Sequence, residues 1–245
     1  MEVVKMRRAL TVTIAALLTL LSATYIFADD MGSIPRIFGT FTPVAGAWSE
    51  YEVLEKDTGK SLTMRMSVLE VMGDKFWYEV VNREGNAVNI IKMLVKGDPN
   101  DSENIQRLIM KSGDNPAQEM PMDFVKMGRR MAKQTFSQRS GVPADISGIK
   151  VKELGKLEVT VPGGTFTGDQ KQLVDEEGDI LATFVTYDKV LPFGIIVSDS
   201  KEAVMKLMAN GTDAKSLITE EAGVMQMPPG MPDMPRGTPP GMMKE

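Results

Sequence analysis

Apolar and polar residues alternate along much of the chain, and this two-residue period is typical of strands with one buried face. The clearest example lies at 61–68, where every second residue is apolar: Leu62, Met64, Met66 and Val68. After Val68 the apolar positions shift in phase to Leu69 and Val71. Such a shift predicts a β-bulge or the edge of a sheet.

Turn-forming residues separate the alternating segments, as at Asp57-Thr58-Gly59-Lys60, Gly73-Asp74 and Glu84-Gly85-Asn86. The two signals together predict strands at 48–54, 61–68, 75–82, 88–95, 105–110, 157–161, 165–174, 180–187, 195–198 and 203–209, with a short last strand at 215–219. The sequence therefore predicts a mainly β fold, which is a curved antiparallel sheet or open half-barrel with one inserted helix.

The inserted helix is predicted at 123–139, where Asp123 is suited to cap its first turn. One face of this helix carries an apolar stripe of Phe124, Met127 and Met131. The same segment also carries a group of cations, namely Lys126, Arg129, Arg130 and Lys133. Three interpretations stay open: a helix packed on the core with a solvated charged face, a contact surface for anionic lipid headgroups, or a lid over a cavity.

The N-terminus has the order of regions found in secretory signal peptides. Lys5, Arg7 and Arg8 precede an apolar run at 9–21, and small residues follow it. Cleavage after Ala28 or after Ala23 gives a mature chain that we expect to be periplasmic or secreted. The alternative is an uncleaved N-terminal anchor. With cleavage after Ala28, the signal peptide is 1–28.

The last residues differ in composition from the rest, since 225–245 contain six methionines, six prolines and three glycines. Proline and glycine oppose both helix and sheet, so we predict a disordered tail at 223–245 after a single folded domain at 29–222. The alternative is a Cu(I) site, because thioether sulfur suits this soft ion. Its candidate ligands are Met225, Met227, Met231 and Met234.

The residue types restrict the chemistry. The chain has no histidine and no cysteine, so the commonest general base and the thiol nucleophile are missing. A zinc site would consist of carboxylates alone, which suits zinc poorly. The net charge of −5 opposes nucleic-acid binding. We therefore predict that the protein is not an enzyme and that it has no cofactor, no metal site and no nucleic-acid partner.

Methionine is used unusually often, with 20 residues in the chain. This side chain is flexible and polarisable, and it suits surfaces that accept apolar groups of variable shape. We therefore predict an apolar binding cavity lined by strand residues Met64, Met66 and Met93 together with Phe124, Met127 and Met131 of the predicted helix. The alternative is that these residues fill an ordinary core.

Two segments resemble a known family. They are Val161-Pro162-Gly163-Gly164-Thr165-Phe166 and Val190-Leu191-Pro192-Phe193-Gly194-Ile195. With the export signal, the absence of cysteine, the meander and the inserted helix, they look like the LolA/LolB-type periplasmic lipoprotein carriers and their lipid-binding relatives. The resemblance covers about a quarter of the mature chain. It implies an open barrel whose concave apolar face, partly covered by helices, holds lipid, and it assigns no functional residue by position.

These observations together predict an exported, non-enzymatic binding protein or carrier for an apolar or amphiphilic, lipid-like ligand. Its partners would be that ligand and an anionic membrane surface. Two other functions remain open: a structural or adapter protein of the cell envelope, and Cu(I) binding through the methionine-rich tail.

Overall fold

The computed structural model describes residues 41, 43–97, 104–123, 125 and 150–225. In these residues twelve strands form a single sheet. Their bounds are β1 Trp48–Glu55, β2 Ser61–Met72, β3 Lys75–Glu84, β4 Ala87–Lys96, β5 Ile105–Ser112, β6 Gln118–Glu119, β7 Lys150–Val161, β8 Gly164–Val174, β9 Ile180–Thr186, β10 Ile195–Ser200, β11 Ala203–Gly211 and β12 Gly223–Val224.

The strands are arranged as two meanders that meet in the middle of the sheet. Their order is β12-β6-β5-β4-β3-β2-β1-β11-β10-β9-β8-β7, so the pairing of β1 with β11 joins the two halves. The two ends of the sheet, β12 and β7, are not paired with each other, and the sheet is open. Among the described strands, only β12 and β6 pair in parallel. The prediction of a mainly β, open, curved sheet is confirmed.

The irregularity predicted after Val68 is also confirmed. The register of β2 against β3 shifts between Val68 and Glu70, where the apolar phase changes. The segment at 161–164 is a tight bend between β7 and β8, as its glycines indicate. In this bend the Gly163 N–H donates to the Leu207 carbonyl (3.0 Å), and a Cβ on Gly163 would lie only 3.1 Å from the Leu207 side chain.

The predicted helix at 123–139 lies almost wholly outside the described residues. Met122, Asp123 and Val125 have helical conformation, and the Val125 N–H donates to the Pro121 carbonyl at 3.3 Å. The apolar stripe and the cationic group of this helix lie outside the described part of the chain, so their roles stay predictions. Within the residues that are described, no helix is long and apolar enough to cross a membrane.

One face of the sheet encloses the main core, and we call it the concave face. Side chains of β1–β5 on this face pack against side chains of β7–β11. An aromatic group bridges the halves, since Phe193 contacts Phe41 and meets Tyr78 edge-on, with ring centroids 5.2 and 5.7 Å apart. The Tyr51 hydroxyl donates to the Ile195 carbonyl at 3.2 Å. The sheet is therefore curved so strongly that side chains of its two halves bury one another.

The opposite, convex face is crossed by residues 212–222, which we call the C-terminal strap. Predicting a strand at 215–219 was wrong, because the backbone of this segment bonds to side chains rather than to a neighbouring strand. The buried carboxylate of Glu79 accepts hydrogen bonds from the Ser216 hydroxyl (2.7 Å) and the Leu217 N–H (3.0 Å). Ile218 is buried in a second apolar cluster with Val81, Ile90, Ile109 and Ala117.

The strap leads into β12, whose Gly223 and Val224 pair with β6. Gly223 and Val224, which were predicted as the first residues of the disordered tail, therefore lie in a strand. Before that point, Lys111 Nζ and Glu220 Oε1 are 2.6 Å apart. The strap thus follows the convex face from β1 to β6 and is fixed at several strands.

The first prediction concerns Glu79, which is 1% exposed. Replacing it (Glu79→Ala) removes both hydrogen bonds to the strap, so we expect the free energy of unfolding to fall by about 3 kcal/mol. Urea denaturation measures this change. Glu158→Ala, at an exposed position of β7, is the control and should change stability by less than about 0.5 kcal/mol. Equal stability of the two variants would contradict the role of Glu79.

The second prediction concerns pH. The hydrogen bond from Lys111 lowers the pKa of Glu220 from 4.5 to about 2. Because the pKa is lowered in the folded state, this interaction stabilises the strap above pH 4.5 and is lost as the pH falls towards 2. We expect Lys111→Met to raise the pKa of Glu220, as measured by NMR titration of its carboxyl carbon. Glu119, whose pKa is lowered by Arg107, should titrate as before.

Candidate functional site

The concave face of β2, β3 and β4 forms rows of apolar side chains across the strands. Met66, Val80 and Ile91 make one row, and the next is Val68, Tyr78 and Met93. A further row pairs Phe76 with Val95. These side chains are at most 6% exposed. The apolar surface is therefore continuous along the strands as well as across them.

The three strand methionines predicted as ligand contacts lie on this face. Met64, Met66 and Met93 are 6%, 1% and 0% exposed, and all belong to the main core cluster. The alternation in β2 correctly places the first two on one face. The other predicted contacts, Phe124, Met127 and Met131, lie outside the described residues, as do the cations Lys126, Arg129, Arg130 and Lys133. Contact of any of these residues with a ligand stays a prediction.

A polar row ends the apolar surface near the β3–β4 turn. The register aligns Asn82 with Asn89 and Asn89 with Ser112, and Met64 lies on the other side of Asn82. The Ser112 hydroxyl and Asn89 Oδ1 are 2.8 Å apart. Sequence reasoning missed this row, although Asn82 follows Tyr78 and Val80 in the same two-residue phase. The concave face is thus apolar over most of its length and polar at one end.

Asn82 is unusual within that row because its side chain is buried, at 7% exposure. Its Oδ1 accepts no hydrogen bond from any described residue. Ser49 Oγ is also buried without a well-aligned hydrogen bond, but it lies close to the Tyr51 phenol. Burial raises the pKa of Tyr51, and the Ser49 hydroxyl offsets a smaller part of that shift. Asn82 is therefore the clearer case of an unpaired buried acceptor.

The convex face has a shallow groove of about 290 Å³ beside the strap, lined by Leu69, Glu70, Trp77, Lys92, Ala214, Lys215 and Ser216. Lys92 Nζ lies 5.1 Å from the centre of the Trp77 ring and 3.1 Å from Ser216 Oγ. These groups thus contact one another and hold the strap. The described residues contain no cluster of three or more acidic side chains suited to a metal ion. Met227, Met231 and Met234 of the tail lie outside them.

Comparisons with known proteins give no family. No protein-family model and no curated protein sequence matches the chain. Among solved structures, a Bacteroides fragilis protein described as exported, with a YmcC-like fold, is 11% identical; the match covers 70% of this chain and 99% of that one, with a TM-score of 0.27.

Two further structures are similar to the same degree. A protein of Parabacteroides distasonis described as a lipoprotein is 9% identical, with coverage of 70% and 97% and a TM-score of 0.28. MucB, solved in complex with MucA(peri), is 11% identical, with coverage of 76% and 60% and a TM-score of 0.32. Similarities this low support no conclusion about function.

The third prediction concerns the packing of the methionines. Met93→Ala should lower the free energy of unfolding by about 2–5 kcal/mol, because it removes a side chain from a filled core. Met72→Ala is a matched change at a residue that is 43% exposed, and it should cost less than about 0.5 kcal/mol. Urea denaturation compares them. A small effect at Met93 would mean that its surroundings are loosely packed.

Proposed function

We propose that this protein is an exported carrier or binding protein that holds an apolar or amphiphilic ligand against the concave face of its sheet, without chemistry. The observation that carries the proposal is the continuous apolar surface on β2, β3 and β4, which includes three buried methionines. The signal peptide that the sequence predicts at 1–28 supports a periplasmic or secreted location.

The open sheet offers a physical route for the ligand. Because β7 and β12 are not paired with each other, the curvature of the sheet can relax without breaking a backbone ladder. Relaxation separates side chains, such as Phe193 from Tyr78 and Phe41. It also breaks one backbone hydrogen bond, from the Gly163 N–H in the β7–β8 bend to the Leu207 carbonyl of β11. An apolar ligand can replace the contacts between these side chains with its own, so the apolar area exposed to water stays small.

Methionine suits this exchange of contacts. Its three rotatable bonds let Met64, Met66 and Met93 close the core when it is empty and reshape around a chain when it is filled. Branched residues at the same positions would define a single shape. The face is therefore suited to a class of apolar chains rather than to one rigid molecule.

The fourth prediction is a binding experiment on the mature chain, residues 29–245. Native mass spectrometry after gentle purification should show a bound species of lipid mass. After delipidation, dodecanol should displace the fluorescent probe 1-anilinonaphthalene-8-sulfonate. Met66→Trp fills the concave face and should weaken dodecanol binding by about tenfold, equivalent to about 1.4 kcal/mol.

Met72→Trp provides the matched control, because the same change at the exposed end of β2 should leave dodecanol binding as it is in the wild type. One set of results would contradict the proposal. If no lipid co-purifies and neither the probe nor dodecanol binds to the folded protein, the core is solid and the protein is a structural or adapter component.

A further inference from the structure

We infer that Asn82 receives the polar end of the ligand and that the apolar chain extends from there towards Phe76 and Val95. This inference rests on the proposed function, and it assigns an orientation and a headgroup chemistry to the ligand. The ligand class is a neutral single-chain amphiphile whose polar end is a hydrogen-bond donor, such as a long-chain alcohol or amide.

The unpaired acceptor at Asn82 is the first reason. A buried amide oxygen without a hydrogen bond costs about 1–3 kcal/mol relative to a paired one, and buried polar groups are normally paired. Asn82 Oδ1 is buried and unpaired among the described residues, on the face that we propose to bind the ligand. A donor on the ligand would satisfy it.

The distribution of polarity around Asn82 is the second reason. Exposure increases along its row, since Asn82 is buried, Asn89 is half-buried and Ser112 is exposed. The row therefore leads from the core to solvent, as the headgroup of an amphiphile requires. In the other direction along β3 the concave positions are Val80, Tyr78 and Phe76, which are all at most 6% exposed.

The length of this path limits the ligand. From Asn82 to Phe76 the strand rises by six residues, or about 20 Å. A single extended hydrocarbon chain of a dozen carbons is comparable in length to this row. Phe76 faces Val95 in the register, and these residues are 1% and 0% exposed, so the far end of the path is wholly apolar.

The charge of the headgroup follows from the same geometry. The unpaired atom of Asn82 is the acceptor Oδ1 rather than the donor Nδ2, and a carboxylate, which only accepts hydrogen bonds, cannot pair with this oxygen. Bringing that anion beside a buried oxygen would also cost solvation free energy. A hydroxyl or amide N–H donates instead. The site should therefore prefer an alcohol over an ether or a fatty-acid anion of the same chain length.

The experiment measures displacement of 1-anilinonaphthalene-8-sulfonate from the delipidated mature chain by dodecanol, dodecyl methyl ether and dodecanoate. Wild type should bind dodecanol about fivefold more tightly than the ether, as one net hydrogen bond predicts. Dodecanoate should bind more weakly than dodecanol. Asn82→Leu should bring the alcohol-to-ether ratio close to one, whereas Asn210→Leu, the same change at an exposed position of β11, should keep the wild-type ratio.

The possible results distinguish the role of Asn82 from the carrier function. If dodecanol and the ether bind equally to wild type, or if Asn82→Leu keeps the preference, Asn82 does not receive the headgroup and the carrier function stands. If none of the three ligands binds to the folded protein, the carrier function fails and this inference fails with it. Circular dichroism confirms folding of each variant, and Asn82→Ala gives the same comparison if the leucine variant does not fold.

Discussion

The pairing of β1 with β11 holds the two halves of the sheet together. It runs from Trp48 opposite Gly211 to Glu55 opposite Ala203, and Trp48 Nε1 donates to an Asp213 carboxylate oxygen that is 165 positions away in the sequence (2.7 Å). A Cβ on Gly211 would lie 2.7 Å from the Trp48 ring, so this junction depends on a residue without a side chain. Both the concave core and the course of the strap follow from this one seam.

The local part of the fold could be predicted from sequence because it follows from neighbouring residues. Alternation and turns place β2, β3 and β4, and the phase change after Val68 locates the bulge. The seam could not be predicted, since no local signal relates Trp48 to Gly211. The N-terminal half of β7 could not be predicted either, because nearly all of its residues are exposed on both faces. The strand predicted at 215–219 is absent because this segment bonds to Glu79, which lies 137 positions away from Ser216 and gives no local signal.

The candidate site, like the fold, could be predicted from the sequence only in part. Periodicity indicates that Met64 and Met66 share a face, and methionine content indicates an adaptable surface. Asn82 is different, because a single asparagine in a strand has no distinctive sequence signal. Its importance depends on being buried without a partner, and burial on a curved sheet is a property of the assembled halves. The unusual residue of the site is therefore visible only in three dimensions.

The strap has a mechanical consequence. It is fixed at Asp213 beside Trp48, at Glu79, at Lys111 and finally at β6, so it spans the outer surface of a bent sheet. Stronger bending lengthens an outer path, whereas flattening shortens it. Hydrogen bonds along such a path are stretched by further bending and are not stretched by flattening. The contacts of the strap at Asp213, Glu79 and Lys111 therefore act on the curvature of the concave face from the opposite side of the sheet.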